Sequence, residues 1–185
     1  MPDFLDQKEP ANDWLFLKHR QINLDGEVNS TMLSQLRKRL ISLTLISQEE
    51  IVVNLNTRGG GTKAGFGIYD LISHFAKQAK VTIRVMEACN SMGVVILMAG
   101  SVRQATPNAT FKVHNTLITL SRDYTKFLEV AKAEVASAEV TQNRMLDILA
   151  QHSKNSFQDW QDFCQEEKEF SAEEALAVGL IDEII

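Results

Sequence analysis

Three features of this sequence have the side chains and spacing for covalent chemistry on a carbonyl: a serine at 91, a histidine at 114 and glycines at 59–61. A serine hydroxyl becomes a nucleophile when a base lies within hydrogen-bond reach and backbone donors face the oxyanion that develops. Ser91 falls where a strand pattern gives way to a helical one, so the amide of the next residue, Met92, opens a helix whose dipole favours negative charge. The plain alternative is that Ser91 only caps that helix. "CNSMG" lacks the first glycine of the G-x-S-x-G elbow, which argues against an α/β-hydrolase. Of the four histidines, His19 and His152 lie in charged or polar surroundings and His74 lies within a helical pattern. His114 closes a strand pattern beyond Ser91, where a crossover can bring it beside the serine; its plain alternative is a structural histidine.

The glycines sit in "NTRGGGTKAG". Lys63 is followed by Ala64 and the glycines are consecutive, so neither the P-loop nor the dinucleotide fingerprint fits. What remains is a loop that permits unusual φ and close backbone approach, with Gly59 and Gly60 amides suited to an extended peptide and an oxyanion.

The elements that position these residues alternate. "RQINLDGEV" reads as a strand, and Asn29 or Ser30 can cap a helix carrying Met32, Leu33, Leu36 and Leu40. "EEIVVNLN" reads as a buried strand, the glycine loop follows, and Ala64, Ile68, Leu71, Ile72 and Phe75 fall on one helical face. "KVTIRVMEAC" is a third strand running into the buried helix of "NSMGVVILMAG". Pro107-Asn108 marks a turn before the Phe111 and Val113 strand. A long helical pattern spans about Arg122 to His152, long enough to project beyond one core towards a partner subunit. Ser171 caps a short helix ended by Gly179, and a final strand follows. This alternation predicts a largely parallel α/β core.

The 185 residues, 44% hydrophobic, suffice for one substantial core, and no internal boundary is visible. A net charge of −5 without a basic, aromatic-rich cluster excludes nucleic acid as an expected partner. No apolar run reaches membrane-spanning length and the N-terminus lacks a signal-like core, so the expected location is cytoplasmic, with no membrane. Cys89 and Cys164 have neither disulfide-framework nor metal-ligand spacing, so reduced thiols and no metal or other cofactor are expected.

Taken together, "NTRGGGTKAG" resembles the N-S-P-G-G-x-x-x-A-G loop of the Clp protease proteolytic subunit (ClpP) family. "NSMGVVILMAG" resembles its A-S-M-G-x-x-x-L-x-x-G nucleophile segment, and "PNATFKVH" its P-N-S-x-x-M-I-H segment. "LKHRQINLDGEV" and "FSAEEALAVGLIDEI" are similar to the family's first strand and its ending. The resemblance runs from about Leu17 to the last residue, leaving 1–16 as an N-terminal segment and 17–185 as one peptidase domain. It implies a ClpP/crotonase-like α/β fold of stacked αβ units with a long handle helix. It also implies a serine endopeptidase acting on unfolded polypeptides, with Ser91 as nucleophile, His114 as general base and an oxyanion hole from the Gly59 and Met92 amides. Gly60 would help the loop pair with a bound peptide. Two stacked heptameric rings, a homo-oligomeric tetradecamer, and an AAA+ unfoldase as partner follow from the same resemblance.

Four departures accompany it. Phe163 stands at the ungapped position of the triad aspartate; Asp162, one residue away, is the expected replacement, with Asp159, Glu166 and Glu167 as other candidates. Asn115-Thr116 replaces the family's glutamine-proline after the histidine, and "TLITLSRDY" replaces the glycine-rich start of the handle. "MPDFLDQKEPANDW" does not resemble the family's axial hairpin. A noncatalytic ring subunit assembling with an active paralogue is the alternative function, and an acyl-coenzyme A thioester binder of the crotonase type is a third.

Overall fold

The computed structural model describes residues 17–117 and 127–185. The N-terminal segment 1–16, and the 118–126 part of the handle start, lie outside the described residues. Five strands form a parallel sheet in the order β1 (Gln21–Asp25), β2 (Ile51–Thr57), β3 (Val81–Asn90), β4 (Val102–Ala105) and β7 (Glu183–Ile184). Parallel neighbours need crossovers, and three helices supply them. These are α1 (Ser30–Ile46), α2 (Thr62–Phe75) and α3 (Met92–Leu97). The α/β architecture expected from the alternation is thus present.

Each helix forms for a reason visible in its residues. Met32, Leu36, Leu40 and Leu43 recur at helical spacing and are the buried face of α1, while Asn29, not Ser30, caps it by accepting the Met32 N–H at 3.0 Å. The α2 stripe of Phe66, Ile68, Ile72 and Phe75 is buried, and every residue of α3 is buried. Arg20 ties this layer to the sheet. It takes φ 52° and donates to the carbonyls of Leu43, Ser47, Glu49 and Glu50, joining the end of α1 and the turn that follows it to the start of the sheet.

The middle strand changes neighbours along its length. Thr82–Val85 of β3 pair with β4, whereas Ala88–Asn90 pair in parallel with β5 (Thr110–Lys112). β6 (Glu169–Phe170) then pairs antiparallel with β5. The expected strand ending in His114 stops at Lys112, and one further bond, from the Val113 N–H to the Lys168 carbonyl at 3.1 Å, continues the register with β6 before the chain turns out of the sheet.

Three further helices, α4 (Phe127–His152), α5 (Phe157–Gln165) and α6 (Ala172–Val178), follow. Met145, Leu146, Ile148 and Leu149 bury the second half of α4 against the core. Ser171 caps α6 in a reciprocal box with Glu174, and Gly179 ends it at φ 80°, as the sequence predicts. Among the described residues no helix is long and apolar enough to cross a membrane.

Candidate active site

Topology brings Ser91 and His114 to one edge. Asn90 and Lys112 are partners on adjacent parallel strands, so Ser91, one residue past Asn90, and His114, two past Lys112, leave the sheet at the same end. The Ser91 N–H donates to the Lys112 carbonyl at 2.8 Å and fastens the two exits together. Ser91 does stand at the N-cap of α3, yet its side chain makes no capping bond. Its backbone takes φ 53° and ψ −122°, a conformation strained for any residue with a Cβ. The hydroxyl is thereby turned out of the helix and into a cavity of about 250 Å³ that His114, Gly60, Thr62 and Met145 also line.

His114 Nδ1 lies 2.7 Å from the carbonyl oxygen of Asn115. A carbonyl only accepts, so Nδ1 carries the proton and Nε2 is left as the basic nitrogen. No hydrogen bond joins the Ser91 and His114 side chains in this arrangement.

The glycine loop packs directly on the serine. Gly59 has φ 99°, and a Cβ there would stand 2.6 Å from Ser91 Cβ, so only glycine fits. Gly60 has φ 147° and bridges Val28 in parallel register: the Val28 N–H donates to Gly59 O at 2.9 Å and the Gly61 N–H to Val28 O at 2.8 Å. In a parallel bridge those two bonds straddle Gly60, so its own N–H and C=O point to the opposite side.

The two amides expected to meet an oxyanion differ. Met92 N–H opens α3 and has no acceptor within the helix. Gly59 N–H instead donates to Thr57 Oγ1 at 3.0 Å, and that hydroxyl donates to Gly26 O at 2.6 Å. Thr57, which holds the Gly59 amide, is a residue that sequence reasoning missed. A buried threonine at the end of an apolar strand, two residues before a glycine, was its only signal.

Asp162 is not brought to His114. The capping box of Ser156 and Asp159 fixes where α5 begins, and in that register Trp160, Phe163 and Cys164 turn inward while Asp162 faces solvent. Its carboxylate accepts from Gln158 Nε2 at 2.9 Å. Phe163 meets Trp160 and Phe170 edge to face, with centroids 5.5 and 5.4 Å away, which holds the inward face. The other candidates have their own partners or exposure. Asp159 is held below the usual carboxylate range by its bonds from Ser156, Glu167 pairs with Lys112 at 3.1 Å, and Glu166 is exposed at the end of α5.

Comparison with known proteins agrees with this architecture. The profile of a family described as Clp protease matches residues 8–185. Among solved structures, a point mutant of ClpP1 from Listeria monocytogenes superposes with a TM-score of 0.81 at 22% identity, over 93% of this chain and 94% of that one.

Proposed function

The chain belongs to the Clp protease family, and from that premise we propose that it is a serine endopeptidase that cuts unfolded polypeptides through an acyl-enzyme. Family membership supports hydrolytic, serine-protease-like chemistry in general. The residue roles proposed are Ser91 as nucleophile, His114 as general base, Met92 and Gly59 as oxyanion donors and Gly60 as the edge that holds substrate main chain.

In this mechanism His114 keeps its proton on Nδ1 and accepts the Ser91 proton on Nε2 as Oγ adds to the scissile carbonyl. The Met92 amide meets the oxyanion first, and the Gly59 amide joins it when its bond to Thr57 Oγ1 gives way. The imidazolium returns the proton to the departing amine, leaving an ester on Ser91 that water, deprotonated by the same imidazole, hydrolyses. The free side of Gly60 pairs with the substrate as an added strand, which grips main chain and tolerates many side chains.

No carboxylate takes part. The Asn115 carbonyl orients the ring but carries no charge to balance the imidazolium, and losing an orienting carboxylate costs about 10⁴ in kcat. Slow turnover is therefore expected. Assembly into two stacked heptameric rings, feeding by an AAA+ unfoldase and a cytoplasmic location complete the proposal.

The observation that carries it is the shared cavity: a serine in a backbone conformation that exposes its hydroxyl opens onto the same space as an imidazole with one fixed tautomer. A fluorophosphonate probe should label the assembled protein at Ser91 and leave Ser91→Ala unlabelled. Absence of labelling in the assembled wild type overturns the assignment. Phe163 and the committed Gly59 amide favour a second reading, a noncatalytic ring subunit. Peptide cleavage by the pure homo-oligomer separates the two.

A further inference from the structure

A triad carboxylate does two things for its histidine: it selects the tautomer and holds the ring still. Here the tautomer is selected by the Asn115 carbonyl, which lies at the start of an exposed loop. A loop carbonyl holds a ring only as well as the loop is held.

One side chain does that holding. Ala138, Met145 and Leu149 share the face of α4 that turns to the body, and Gln142 stands on that face between them, half-buried. Its Oε1 accepts the Thr116 N–H at 2.7 Å and the Thr116 hydroxyl at 2.9 Å, while its Nε2 donates to Asn115 Oδ1 at 3.1 Å. Because an N–H can only donate, these bonds define which end of the amide faces Thr116. The clamp also depends on a departure from the family resemblance. A proline at 116 would have no N–H to give.

Resting on the peptidase reading above, we propose that Gln142 is the positioning residue of this site: it immobilises the Asn115-Thr116 loop and so holds the His114 imidazole for Ser91. It touches neither substrate nor reacting atoms. Its effect is on the geometry of the base, where a displacement of about 1 Å can cost a hundredfold in rate.

Gln142→Leu in the full assembled protein tests this, since an apolar side chain suits the buried stripe and only the hydrogen bonds are lost. On a fluorogenic peptide amide, kcat falls by about ten- to a hundredfold while KM stays within about twofold. Gln142→Glu keeps the accepting oxygen, and rotation of the Asn115 amide lets it donate in turn, so most of the rate returns. Thr116→Val, which loses only the hydroxyl bond, gives a smaller loss in the same direction and serves if Gln142→Leu fails to assemble. Unchanged kcat in Gln142→Leu, a loss appearing in KM instead, or no recovery in Gln142→Glu overturns the proposal.

A second readout does not need turnover. Nitrogen-15 correlation spectra of labelled histidine show His114 protonated on Nδ1 in the wild type and a tautomer mixture in Gln142→Leu. If the wild type does not react with the fluorophosphonate, the peptidase reading falls, and this spectrum alone decides whether Gln142 holds the ring; an unchanged tautomer sinks the clamp.

Discussion

Ser91 and Gly59 constrain one another closely. Their close approach predicts that Gly59→Ala, which adds a Cβ 2.6 Å from Ser91 Cβ and 3.0 Å from Asn90 O at φ 99°, cannot be absorbed by a side-chain rotation. Overpacking and a forbidden φ together should lower stability by about 2–4 kcal/mol and abolish probe labelling, read by denaturant unfolding and by gel fluorescence. Ser91, His114 and Gly60 could be singled out from the sequence because each lies inside a short pattern with its own chemistry, and their common placement along one cavity is what the fold adds. Asp162 was not legible: adjacent helical residues point in directions about 100° apart, so a carboxylate one position from the expected place faces away from it. Thr57 and Gln142 carry no pattern at all. Their roles exist only once separate segments meet.

Among the elements, the strand-helix units were readable because burial follows the apolar spacing in α1 and α2 and covers most of the first half of β3. The four-residue β4 and two-residue β6 were not, since so few residues show no alternation and owe their existence to neighbours. β4 is joined to the start of β7 by Arg103. Its guanidinium donates to Asp182 Oδ1 at 2.6 Å and Oδ2 at 3.1 Å, and to the carbonyls of His152 and Gly179. Burial alone would raise the Asp182 pKa, but the Arg103 hydrogen bonds and charge outweigh it and hold the carboxyl below its ordinary 3.8. A depressed folded pKa means stabilisation that is full above pH 3.8 and is lost as pH falls through the lower folded value. Asp182→Asn should therefore be less stable than wild type at neutral pH and show a shallower loss below pH 3.8, measured by urea unfolding across an acid series.

At the scale of the whole molecule, the 26 residues of α4 make a rod of about 39 Å at the usual rise per residue. Its second half is rooted in the core, while Leu128, Val130 and Val135 on the first half, and Val140 at the midpoint, are exposed. Exposed apolar side chains along a projecting helix fit an interface between subunits. Leu128→Glu with Val140→Glu should reduce the assembled mass in sedimentation while leaving the far-ultraviolet circular dichroism of the subunit unchanged. The global unfolding free energy also registers a single torsion. At Ser91 the main chain adopts angles that suit a residue without a side chain, so the fold is weakened at the point where the proposed nucleophile stands. Ser91→Gly should consequently yield an inert protein sturdier than the native one by about 1 kcal/mol, a margin that measures what the proposed nucleophile costs this chain in durability.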